Sequence, residues 1–200
     1  NAVLERVQSA LVRNSLVSLV AEDGLKRGDD LKVSYAALKK LVSDKDVQVS
    51  LDEKYALLSK LQKGNTSPDF SLQDIKGKTF SLSDFKGKVV YIDVWATWCG
   101  PCKAEMPFMK KIQEDLKGKN IAFIGICTWD KQESWKKYLE ENKLQGTQLF
   151  APDKEIPFLK EYDIKGIPHF ILLDKEGKII EADAARPSDP QLKKLIESLL

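Results

Sequence analysis

Apolar residues recur at helical spacing through the first third of the chain, in Val3, Val7, Ala10 and Leu11 and again in Tyr35, Leu38, Leu41 and Val42. The pattern predicts helices over about residues 2–21, 30–43 and 52–62, with Asp29-Asp30 and Ser50 or Asp52 as N-caps and Gly24 and Gly64 as stops. Beyond the turn-rich joint Gly64-Asn65-Thr66-Ser67-Pro68 the period changes, and short apolar runs alternate with amphipathic ones. Strands are expected at about 69–72 and 78–80 around the turn Lys76-Gly77, followed by one helical turn at 83–87. A continuously apolar strand at 88–96 leads to a helix at 100–117 that Gly118 stops. Then come a strand at 121–127, a helix at 131–142, a strand near 147–150 and a helical segment near 155–161. Strands 169–173 and 178–181 flank a turn at 174–177, and Asp189 or Pro190 opens a last helix to 200. The expected organisation is a small all-helical module over 1–64 and an α/β domain over 65–200, its sheet covered by helices on both faces.

Composition narrows the partners. The 200 residues are 42% hydrophobic, enough for one full core and a small second module. Lys and Arg number 32 against 30 Asp and Glu, with both signs scattered, which argues against nucleic acid. The N-terminal apolar stretch from 2 to 20 is broken by Glu5, Arg6 and Arg13, so it predicts an amphipathic helix and no membrane span. The first residue is Asn1, which suggests a processed or truncated product from which any targeting segment is missing.

The chemistry gathers where strand 88–96 meets helix 100–117. Cys99 and Cys102 stand there with two residues between them, too close to staple distant parts of a fold. At a helix N-terminus, free N–H groups and the macrodipole favour a thiolate over a thiol, which suits Cys99 as a nucleophile. Pro101 fits the first turn, where its missing N–H costs nothing. Cys102, one turn further in, suits a resolving thiol. The competing reading, half of a zinc site, needs two further ligands, and only the isolated Cys127 and His169 remain among Cys and His. Glu105, Met109, Ile112 and Leu116 fall on one helical stripe, so Glu105 is expected to face the core unless it is simply exposed. Asp93 interrupts the apolar strand six residues before Cys99 and is expected to be buried from both sides. Either acid could take a proton from Cys102, and Asp93 could equally be a structural hydrogen-bonding residue.

Trp95-Ala96-Thr97-Trp98-Cys99-Gly100-Pro101-Cys102-Lys103 resembles the active-site segment of thioredoxin-fold oxidoreductases. Ala104-Glu105-Met106-Pro107, together with Ser67-Pro68-Asp69-Phe70 and the run Phe80-Ser81-Leu82-Ser83-Asp84-Phe85-Lys86-Gly87-Lys88, is similar to the TlpA/ResA-like branch. The resemblance covers about 67–200 and implies a central mixed sheet flanked by helices, with an N-terminal hairpin and a central insertion near 129–150. It implies dithiol–disulfide exchange with Cys99 as nucleophile, Cys102 as resolving thiol, Asp93 and Glu105 as nearby acids, and no cofactor or metal. Trp98, Gly100, Pro101, Ile167 and Pro168 become candidates for substrate binding, because Gly166-Ile167-Pro168 resembles the segment whose proline is cis and faces the cysteines. The backbone of Ile167 would then pair with an extended client segment. Gly100-Pro101 is also thioredoxin's pair and leans toward reduction. The implied partners are disulfide-containing client proteins and an upstream thiol electron donor, and the implied place is the bacterial periplasm or cell envelope, with the cytoplasm as alternative.

Two other classes stay open. Pro68-Asp69-Phe70 also looks like peroxiredoxins, yet no Pro-x-x-x-Thr-x-x-Cys arrangement precedes Cys99. A binding or scaffold protein would use the helical module and leave the cysteines incidental. His169 is expected to present a solvent-facing ring, and Cys127 to behave as a small hydrophobe.

Overall fold

The structure is a computed structural model that describes residues 12, 14–17, 19, 25, 30–152 and 156–200. The chain divides into two compact units, Asn1–Gln62 and Lys63–Leu200. Lys63 and Gly64 belong with the second, where the Gly64 N–H donates to the Ile179 carbonyl at 2.8 Å.

In the first unit, α1 (Leu31–Lys39) and α2 (Lys45–Lys60) pack through Leu31, Leu38, Leu51 and Leu58, with Tyr35 stacked on Tyr55 at 3.9 Å. The expected third helix therefore starts earlier than Ser50 or Asp52. Asp44 is the cap, its carboxylate accepting from Asp46 N at 2.9 Å and Val47 N at 3.1 Å. The second expected helix ends at Lys39 rather than continuing to 43. Of the helix expected over 2–21, residues 12, 14–17 and 19 are helical, and the rest, including Val3, Val7, Ala10 and Leu11, lies outside the described residues. Gly24 and Asp29 also lie outside them.

The second unit is a seven-stranded mixed sheet in the order β2-β1-β5-β4-β3-β6-β7. Its strands are β1 (Ser71–Asp74), β2 (Thr79–Ser81), β3 (Val89–Trp95), β4 (Ile121–Thr128), β5 (Thr147–Ala151), β6 (His169–Leu173) and β7 (Ile179–Glu181). Strand β3 is central, parallel to β4 and antiparallel to β6, which explains why it is apolar apart from Asp93. Strand β1 begins two residues later than expected because the Asp69 carboxylate is used in the loop, accepting from Phe70 N and Leu82 N at 2.7 Å each. A 3₁₀ turn at Leu82–Phe85 carries a Ser81/Asp84 capping box. The remaining helices are α3 (Gly100–Asp115), α4 (Gln132–Asn142), α5 (Pro157–Glu161) and α6 (Pro190–Leu199). One face of β3 and β6 carries Val89, Tyr91, Phe170 and Leu172 against Ile112 of α3 and Leu192 and Ile196 of α6. The central insertion supplies α4 and β5, and β5 bridges the β1–β2 hairpin to β4. Among the described residues, no helix is long and apolar enough to cross a membrane.

Candidate active site

Strand β3 ends at Trp95, and residues 96–99 turn the chain into α3. Cys99 is the N-cap of that helix: its backbone is extended and its Sγ accepts from the Cys102 N–H at 3.1 Å. A sulfur there meets the free amide and the positive end of the dipole together, both of which favour its anion. Pro101 occupies the first turn. Cys99 and Cys102 are joined as a disulfide with Cα atoms 5.3 Å apart. Both are sealed, at 3% and 1% exposure, inside a cluster with Trp95, Ala96, Cys127, Trp135 and Phe150. Trp98, Gly100 and Pro101 are exposed beside them.

Two residues that the sequence reading passed over brace this turn. The Asp130 carboxylate accepts from Thr97 N at 2.6 Å and from Lys131 N at 2.7 Å. The Trp129 carbonyl accepts from the Trp98 indole at 2.8 Å, and Trp129 itself is left-handed at φ 55°. An Asp between a strand and a helix is a cap signal, and that signal could have singled out Asp130. Its carboxylate instead bridges two loops.

The two acids differ in their partners. Glu105 is buried on α3, as the helical stripe predicts, and both its oxygens are used: Ser188 N donates to Oε2 and Ser188 Oγ to Oε1, each at 2.9 Å. Ser188 lies in the loop before α6, 83 residues away, where no local pattern marks it. Asp93 stands level with Gly125 on β4 and Phe170 on β6. It is not enclosed on both sides as expected. One side opens on a cavity of about 680 Å³ walled by Trp95, Met106, Phe123, Tyr138 and Gln148, so the residue is only half-buried. Gly125, its neighbour on β4, also lines the cavity, and the space above it is taken by the Gln148 carboxamide. Asp93 Oδ1 is buried without a hydrogen-bond partner. Burial first, and the Glu105 charge second, push its carboxyl up to about 7. Ser188→Ala should leave Glu105 with the backbone donor alone and cost about 1 kcal/mol, read as a lower urea midpoint at unchanged m.

Ile167 packs against the cysteine cluster, and the Ile167–Pro168 peptide is cis. His169 departs from expectation. Its ring is 11% exposed rather than solvent-facing, with Nε2 2.8 Å from the Ala182 carbonyl. Its partner in register is Val94, which puts it on the sheet face opposite Asp93. Cys127 shares the cysteine cluster, and burial pushes its thiol far above the ordinary range, in keeping with a small hydrophobe. Among the described residues, no three His, Cys, Asp or Glu side chains are gathered to hold a metal ion.

A family model described as Redoxin matches residues 62–196. The thiol-disulfide oxidoreductase ResA of a Bacillus cereus strain is 30% identical over 145 residues, 72% of this chain and 83% of that protein. The thioredoxin domain of a thiol-disulfide oxidoreductase from Bacteroides vulgatus superposes with a TM-score of 0.62 at 37% identity, covering 69% of this chain and 97% of that one. A thiol:disulfide interchange protein from Bacteroides sp. gives a TM-score of 0.59 at 34% identity, over 70% of this chain and 90% of that one. With its cysteine pair at the head of α3, the chain belongs to the redoxin family and, within it, to the ResA-like thiol-disulfide oxidoreductases of the thioredoxin fold.

Proposed function

We propose that this protein reduces disulfides of client proteins in the bacterial cell envelope, drawing electrons from an upstream thiol donor. The observation that carries the direction of attack is the Cys99 sulfur at the N-cap of α3, within 3.1 Å of the Cys102 amide. In the reduced protein that amide stabilises the Cys99 thiolate, the attacking species. The thiolate bonds to one client sulfur, and the other client sulfur leaves as a thiolate. Cys102 then gives its proton to the Asp93 carboxylate and attacks Cys99, releasing the second client sulfur and restoring the Cys99–Cys102 disulfide. Two electrons pass to the client, and the donor resets the pair.

Glu105 serves this step through its charge. With both oxygens taken up by Ser188, it makes a second negative charge nearby costly and so strengthens Asp93 as a proton acceptor. Trp98, Gly100 and Pro101 offer the exposed surface around the pair, and the Ile167–Pro168 segment offers backbone for an extended client strand. The envelope assignment rests on likeness to the TlpA/ResA-like branch.

Cys102→Ser tests the proposal. With the resolving thiol gone, client proteins should accumulate in cells as mixed disulfides on Cys99, visible as bands on a non-reducing gel that thiol reductant dissolves. Their identity names the clients. If Cys102→Ser captures no more protein than the Cys99→Ser, Cys102→Ser double variant, the reading is wrong.

A further inference from the structure

We propose that Gln148 is a positioning residue for the acid of this site: its carboxamide oxygen accepts the hydrogen bond of protonated Asp93, directly or through one water, across Gly125. The inference rests on the reading of Asp93 as proton acceptor for Cys102 and adds what receives the proton's other side.

Register supplies the alignment. Asp93 pairs with Gly125, and Gly125 pairs with Gln148, so the three stand level across β3, β4 and β5 with side chains on one face. A Cβ built on Gly125 would run into the Gln148 carboxamide, Oε1 nearest, with Cδ at 2.9 Å and Nε2 at 3.0 Å. The carboxamide thus leans back over β4 toward β3 and occupies the place a side chain at 125 would take. Its nitrogen is already committed, donating to the Gln145 carbonyl at 2.8 Å, which leaves Oε1 as the free end. Neighbouring strands lie about 4.8 Å apart, so an oxygen above Gly125 is within direct or one-water reach of Asp93.

Both oxygens are orphans. Gln148 Oε1 and Asp93 Oδ1 are buried without partners, and both residues line the same cavity. Two acceptors can satisfy one another only if one carries a proton, and a carboxamide oxygen cannot. The pair is therefore satisfied when Asp93 is a carboxylic acid, the form it takes on receiving the Cys102 proton. The charged and titratable groups that face Asp93 come from several elements. Glu105 on α3 is engaged by Ser188, and Lys103 and Lys110 of α3, Tyr138 of α4 and Lys143 after it line the cavity. Tyr91 lies on β3 itself and Cys127 on β4, while β6 presents the apolar Phe170.

The test follows release of reduced client from a preformed Cys99 mixed disulfide as a function of pH. Gln148→Leu removes the acceptor and should lower the midpoint of the profile by about one pH unit. Gln148→Glu puts a charge at the same place and should raise it by at least about one unit. A midpoint that Gln148→Leu leaves unmoved overturns the inference, whatever Gln148→Glu does. Should the leucine variant fail to fold, an unmoved midpoint in Gln148→Glu alone overturns it. Asp93→Asn is the control for the underlying reading: if it leaves the pH dependence intact, Asp93 is not the acceptor, and that failure is distinguishable from a profile that Asp93→Asn flattens but Gln148 does not shift.

Discussion

Cys99→Ser is expected to lower client disulfide reduction by at least about a thousandfold, to the background of free thiol exchange. A serine hydroxyl stays protonated at neutral pH and forms no disulfide, so neither the mixed intermediate nor the closed pair exists. Cys102 cannot substitute, because without Cys99 it has no second thiol to resolve a mixed disulfide, and it lies one turn inside α3. The fold should survive. Serine is a strong N-cap residue, and it would offer the Cys102 amide an oxygen in place of Sγ. The lost disulfide spans a separation of only three residues, so it constrained the unfolded chain little. The measurement is reduction of a disulfide-linked substrate under a regenerating thiol, alongside a thermal melt. Residual turnover above background in a folded variant would remove Cys99 from the reaction.

Asp93→Asn should make the protein slower and more stable at once. An ordinary aspartate titrates near 3.8, whereas burial and then Glu105 carry Asp93 to about 7, so the folded state holds this proton more tightly than the unfolded chain. The associated stability is therefore complete below about pH 4, declines as pH rises, and is fully lost above about pH 7. Asparagine has no charge to bury. The variant should match the wild type near pH 4 and exceed it by up to about 4 kcal/mol near pH 8, as read from urea unfolding at the two pH values. Release of client from the mixed disulfide at neutral pH should fall about 100-fold, the contribution of a positioned base. Equal stability at both pH values would mean that Asp93 is not held protonated.

The opposite effects on speed and stability bear on how far each acid can be read from sequence. The stripe Glu105, Met109, Ile112 and Leu116 places Glu105 inward by helical geometry alone, and it is inward. Asp93 in an apolar run points to a buried acid just as directly. Neither pattern says what the acid meets. Ser188, Gln148 and Asp130 reach the site from elsewhere in the chain, and each does its work through contacts that no local period encodes. The start of α2 is a similar case in small: Asp44, Ser50 and Asp52 are all competent caps, and the helix begins at Asp44.

By itself, then, the sequence determined the order of elements from β1 to α6, the strand–cysteine–helix junction, and the thiolate-favouring position of Cys99. These follow from side-chain period, turn residues and the backbone amides of one helix end, all of which are local. Only the tertiary structure decided how each acid is solvated and partnered. Proton affinity depends on desolvation and on charges and dipoles brought from other strands and loops. Here Ser188 binds Glu105, a cavity lies beside Asp93, and the Gln148 carboxamide fills the place left by the missing side chain of Gly125. The cysteine pair and its helix are written along the chain, while the acid–base setting around them comes from the packing of distant segments.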